Sequence, residues 1–137
     1  MSCVFCEIIA GQLPAAIVFE DDETIAFLDK SPVFIGHVLV TPKVHHETLT
    51  DVPTELLTPL FVRVQTIARA VEAGLEAQGT FVAMNNRISQ SVPHLHVHVV
   101  PRRKKDGLRG FFWPRTKYTG EAQMHEVAAR IRDALNP

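Results

Sequence analysis

The stretch SVPHLHVHVVPR, residues 91–102, sets three of the seven histidines, His94, His96 and His98, at alternate positions. In an extended chain, side chains two residues apart share a face, with their bases roughly 6.5–7 Å from one another. The three imidazoles would therefore line the polar, exposed face of a strand while Leu95, Val97 and Val99 turn to the core. Two kinds of chemistry suit that pattern. Two neighbouring imidazoles can hold a zinc ion, but His94 and His98 are roughly 13 Å apart at their bases by the same rise, which leaves at least one ring for other work. The second chemistry is nucleophilic catalysis. A neutral imidazole whose N–H is held by an acceptor offers its other nitrogen to phosphorus, and water can then break the phosphohistidine-type intermediate. Flanking histidines would orient that ring, donate to phosphate oxygens or protonate the leaving group.

Cys3 and Cys6 form a Cys-x-x-Cys pair. Two thiolates are half of a closed tetrahedral zinc site, so two ligands must come from elsewhere; free thiols are the alternative. Met1 leads directly into SCVFCEII, with no basic start or long apolar run. The expected setting is therefore the reducing cytoplasm, where a disulfide is disfavoured. Farther on, Arg102, Arg103, Lys104, Lys105, Arg109, Arg115 and Lys117 face only Asp106. Such a run is either a solvated loop or a rim that attracts phosphate.

The elements that must position these groups read as follows. CVFCEIIAG is a short helix stopped by Gly11. IVFE and TIAFLD flank the acidic turn DDE as a hairpin, and a third strand runs from His37 to Thr41 before Pro42. Leu56, Leu57, Leu60, Phe61, Val64, Ile67, Ala68, Val71 and Leu75 recur at helical spacing between Pro53 and Gln78. Asp51 or Thr54 would cap that helix; Pro59 either bends its first turns or marks a later start capped by Thr58. TFVAMNN and PHLHVHVVP are two further strands joined by RISQS. A terminal amphipathic helix over 120–135 carries Val127, Ile131 and Leu135. The order predicts an α+β fold with an antiparallel sheet of about five strands and one long crossover.

At 137 residues, the chain is expected to be a single domain, 1–137, with 103–137 as a basic, aromatic segment and helix. Apolar residues at 46% and charged residues at 21% exclude a disordered chain. A net charge of -1 argues against nucleic acid or an anionic membrane as partner, and no run is long enough to span a bilayer.

HLHVHVV resembles the His-φ-His-φ-His-φ-φ signature (φ apolar) of the histidine triad (HIT) family of nucleotide hydrolases and transferases. CVFCEIIAGQLPAAIVFEDDETIAFLDKSP, GHVLVTPKVHHETL and QSVPHLHVHVVPR follow the family's order, so the resemblance covers most of the chain. It implies a HIT-like fold and cleavage of nucleotide conjugates at the α-phosphate through a nucleotidyl-histidine, with phosphoramidates or dinucleoside polyphosphates as substrates. By the same resemblance His96 is the nucleophile, and His98 and His37 contact the phosphate. Ser91, after Gln90, holds the α-phosphate or leaving group. Asn85, with Asn86 as the competing alignment, supplies a polar amide. Leu13 and Phe27 pack on the base, and Asp29 accepts from the ribose. Lys30 stands where an apolar residue is frequent, and RIS replaces a longer Gly-containing loop. Zinc-binding, bacterial-type relatives complete the Cys3–Cys6 site with residues matching His45, for which His46 is the rival, and His94. That zinc would be structural, with no metal required for the chemistry. The resemblance also implies a two-fold homodimer; the apolar positions around 56–75 are too many for one face of a small domain. Two other readings are a zinc-stabilised, nucleotide-binding interaction module with little turnover, and a zinc hydrolase using the triad as ligands.

Overall fold

A computed structural model describes residues 3–108 and 115–135. Arg109 and the aromatic stretch 110–114 lie outside the described residues. The chain falls into two compact units, Met1–Asp106 and Gly107–Pro137.

The first unit opens with α1, Val4–Ile9, whose N-cap Cys3 accepts the Cys6 N–H at its sulfur. Gly11, at φ +77°, takes the left-handed turn that ends it. Strands β1 (Ile17–Glu20) and β2 (Thr24–Leu28) form the expected hairpin. Its acidic turn closes because Asp21 Oδ1 accepts the Glu23 and Thr24 N–H groups at 2.9 and 2.8 Å. After β3 (Val38–Pro42) the chain passes a 3-10 turn, Leu49–Asp51, enters α2 (Thr54–Leu75), and returns as β4 (Gly79–Ala83) and β5 (Val97–Arg102). All pairings are antiparallel and the sheet order is β1-β2-β3-β5-β4. The α+β architecture, five strands and one long crossover agree with the sequence reading.

Alternation along the strands sorts the core into two layers. Ala26, Val38, Val40, Val97 and Val99 pack against Leu60, Val64, Ile67 and Val71 of α2. On the opposite face Ile25, Phe27 and Leu39 pack with Phe5 of α1. His98 lies opposite Leu39 in the β3–β5 register, so the histidine face is the face that α1 covers.

Three local expectations need correction. The histidine run is not one strand: β5 begins at Val97, and β3 pairs only with Val97, His98 and Val99. His94 and Leu95 instead make backbone bonds to Val92 and His46. Nor are the imidazoles exposed. His94 is 0% and His96 5% exposed, because α1 lies over them. Finally, α2 starts at Thr54 without a side-chain cap and runs on through Pro59. Asp51 is engaged one turn earlier, where its Oδ2 accepts the N–H and hydroxyl of Thr48 at 3.0 and 2.8 Å.

In the second unit α3, Glu121–Leu135, carries exposed Met124, Ile131 and Leu135 and a half-buried Val127. Among the described residues, no helix is long and apolar enough to cross a membrane.

Candidate active site and metal centre

A chain of imidazoles begins at a backbone amide. The Val33 N–H donates to His37 Nδ1 at 3.1 Å. A neutral His37 must then carry its proton on Nε2, which lies 2.9 Å from His98 Nδ1 and donates to it. His98 is left with its proton on Nε2. His96 is set the other way: its Nδ1 is 2.7 Å from the His94 carbonyl, which can only accept, so Nδ1 bears the proton and Nε2 a bare lone pair. The His96 and His98 rings are 5.0 Å apart. Neighbouring rings thus carry opposite functions, an N–H donor on His98 and a bare nitrogen on His96.

Burial keeps these rings neutral. It is the largest cause of depressed pKa values at His37, His94 and His96, and Asp29 opposes it at His37 and, after the His94 carbonyl, at His96. His98 is pushed down to about 4, by burial first and then by His96 and His37, against the pull of Asp29. Asp29 lies with its Oδ2 3.8 Å from His37 Nδ1, and its Oδ1 accepts the Ser31 N–H.

The third imidazole points into a different site. His94 Nε2 donates to the Pro42 carbonyl at 2.8 Å, which turns the Nδ1 lone pair toward Cys3 Sγ at 3.4 Å and Cys6 Sγ at 3.6 Å. His45 Nδ1 is 3.4 Å from Cys6 Sγ. The four donor atoms lie within 4.8 Å of one another. Zinc bonds of about 2.3 Å to sulfur and 2.0–2.1 Å to nitrogen at tetrahedral angles put S and N about 3.5 Å apart. The observed separations fit that ion, and the Pro42 carbonyl supplies the outer acceptor that a ligating histidine needs. The Cys6 thiol is pushed up by burial, then by its hydrogen bond to and charge repulsion from Cys3; a cation between the sulfurs would relieve both. His46 does not join the cluster, and its buried Nε2 has no hydrogen-bond partner among the described residues.

The structure therefore brings His37, His96, His98 and Asp29 together on one side, and Cys3, Cys6, His45 and His94 on the other. Ser91 and Asn85 are exposed, as is Leu13, and no hydrogen bond joins the first two to the histidines among the described residues. Phe27 is buried edge-on against Phe5, 5.3 Å between ring centres. Gln90 braces the loop, donating to the Glu47 carbonyl and accepting the Arg87 N–H, while Asn86 accepts the Leu49 N–H. In the basic run, the Arg102 guanidinium is paired with the Asp106 carboxylate and Arg103 donates to the Leu75 carbonyl at the end of α2. The sequence reading missed the backbone groups of Val33, Pro42 and His94, which carry no side-chain signal, and Phe5, whose place between the two cysteines was the available clue.

The HIT domain model matches residues 10–105. A Bacillus subtilis protein named Protein hit is 43% identical over 114 residues, covering 82% of this chain and 79% of its own. Adenosine 5'-monophosphoramidase HNT1 of Candida albicans is 32% identical over 91% of this chain and 88% of its own. Adenylylsulfatase HINT3 of Arabidopsis thaliana is 33% identical over 77% of this chain and 55% of its own. Among solved structures, a HIT family member from Bacillus subtilis superposes with a TM-score of 0.87 at 38% identity, covering 97% of this chain and 96% of that one. A zinc-bound histidine triad protein from Mycobacterium smegmatis does so at 0.75 and 39%, covering 98% of both.

Proposed function

The chain belongs to the HIT domain family, and from that membership we propose that it hydrolyses nucleotide conjugates at the α-phosphate, releasing a nucleoside monophosphate. The observation that carries this reading is the bare Nε2 of His96, held in that tautomer by the His94 carbonyl. His96 Nε2 attacks the α-phosphorus, the bond from phosphorus to the leaving group breaks, and a nucleotidyl-histidine forms. His98 Nε2–H donates to a non-bridging oxygen as charge builds there. The leaving group departs on the exposed Ser91 side, where solvent supplies its proton. Water then attacks the same phosphorus, the P–N bond to His96 breaks, and the nucleoside monophosphate leaves. Asp29 would accept from the ribose hydroxyls and Leu13 and Phe27 would wall the base. Gln90 and Asn85 would shape the phosphate loop.

Phosphoramidates are the preferred substrate class in this reading. A relative carries the name phosphoramidase, whereas Arg102 and Arg103, which would otherwise favour polyphosphates, have structural partners. Cys3, Cys6, His45 and His94 would hold zinc. When bound, the ion neutralises the thiolates and pins α1 to the loop before β5; with four protein donors its task is structural. A second copy of the chain is the proposed partner and the cytoplasm the proposed setting. The first unit carries the chemistry.

The test is to supply an adenosine phosphoramidate and a diadenosine polyphosphate in parallel. AMP release should favour the first and fall at least about 10³-fold in His96→Ala. Unchanged turnover in that variant contradicts the assignment, and binding without release by the unaltered protein favours the interaction-module reading.

A further inference from the structure

We propose that Phe5 is a positioning residue for His96, and that the Cys3–Cys6 turn acts on the reaction through this ring; the inference rests on His96 being the nucleophile. One hydrogen bond from Nδ1 fixes where a ring nitrogen points but not the plane of the ring. The Phe5 ring supplies the missing constraint. It meets the His96 ring at 88° with 4.9 Å between centroids, and the His94 ring at 67° and 5.9 Å. Behind it stands Phe27, at 74° and 5.3 Å. Phe5 is 6% and Phe27 3% exposed, so the stack has no room to swing.

What places Phe5 is the thiol cluster. A six-residue helix does not hold itself in water. Beyond its packing, α1 is fixed by Cys3 and Cys6, two residues before and one residue after Phe5, whose sulfurs face His94 Nδ1 and His45 Nδ1. His94 closes the loop: its Nδ1 faces the sulfurs while its carbonyl holds His96 Nδ1. The cluster thus bears on the nucleophile twice, through the His94 backbone at the edge of the ring and through Phe5 at its plane. Ring alignment matters when Nε2 attacks phosphorus, and less when substrate binds through its base, ribose and phosphate.

The test compares Phe5→Leu and Phe5→Ala with Ile25→Ala in the full chain, with zinc content measured in each. Ile25 is 1% exposed in the same small core as Phe5, so its truncation reports loss of packing alone. We expect kcat to fall about 10-fold in Phe5→Leu and about 100-fold in Phe5→Ala, with KM within about threefold of the unaltered protein. Nitrogen NMR should show one sharp His96 Nε2 resonance in the unaltered protein and a broadened or split one in both Phe5 variants, at full zinc content, since the ring plane loses its constraint while Nδ1–H stays on the His94 carbonyl. Ile25→Ala should lower Tm and leave kcat unchanged. The proposal is overturned if Phe5→Leu keeps its kcat and a sharp His96 Nε2 resonance while only Tm falls, or if KM rises with kcat unchanged. Should His96→Ala turn over normally in the same assay, the nucleophile assignment has failed, a result distinct from any of these.

Discussion

Val33 gives the site only its backbone N–H, yet that donor fixes the protons of two imidazoles, His37 and then His98. The consequence is visible in pH. Unfolded His98 titrates near 6.5 and folded His98 near 4, with burial, His96 and His37 lowering it and Asp29 opposing. Between those values the unfolded chain binds the extra proton, so stability rises with pH and is lost as pH falls from about 6.5 toward 4. Chemical denaturation across that window should show a slope of up to about 1.4 kcal/mol per pH unit for each such histidine. The slope should be shallower in His98→Asn. A pH-independent stability between 4 and 6.5 would contradict the burial of neutral rings. Thr41 is a second single-residue test. Its buried hydroxyl donates to the Leu95 carbonyl at 2.5 Å, so Thr41→Val should cost about 1–3 kcal/mol in urea unfolding. The alternate spacing of histidines was legible in sequence because it advertises side chains. Val33, the Pro42 carbonyl and the Leu95 carbonyl act through backbone, which spacing does not reveal.

The short helix α1 was anticipated, but its role was not, because a sequence cannot show which sheet face a six-residue helix covers. Once Leu39 and His98 are in register, the histidine face and the α1 face coincide, and imidazoles expected in solvent become buried. Docking of α1 through the thiol cluster predicts that a strong chelator removes zinc and destabilises the protein by about 2 kcal/mol or more, lowering Tm by roughly 5 °C or more. Cys6→Ser should start near that lowered Tm and ignore the chelator; equal chelator sensitivity in both proteins would contradict the zinc assignment. In α2 the helical periodicity identified the buried stripe, whereas the Asp51 capping signal misled, since Asp51 serves the preceding turn; of the two readings of Pro59, the one inside the first turns holds and the later start at Thr58 does not. Proline removes the N–H that would bond the Glu55 carbonyl. Pro59→Ala should therefore stabilise the protein by about 1–3 kcal/mol in thermal or urea melts. At Gly36, φ is +99° and an added Cβ would run into Leu75 Cδ1, so Gly36→Ala should cost about 1–3 kcal/mol.

Over the whole molecule, hydrophobic period and hairpin signals predicted five strands, but not that β5 would insert between β3 and β4. That order makes β4 an edge strand, with Val82 exposed on it and Phe61, Val62 and Leu75 exposed on α2. A second copy of the chain covering these residues should give a sedimentation mass of twice 15.3 kDa, and Val82→Lys with Phe61→Glu should reduce it to one chain. A single-chain mass for the unaltered protein would contradict the dimer. Both halves of the account, hydrolysis and positioning, meet at His96. The most direct measurement is to mix the protein with an adenosine phosphoramidate, quench within the first turnover, and map the modified peptide by mass spectrometry. One adenylyl group on the His96 ring, absent from His96→Ala, is the predicted result. AMP release without any adduct, or with the adduct on another residue, would contradict it.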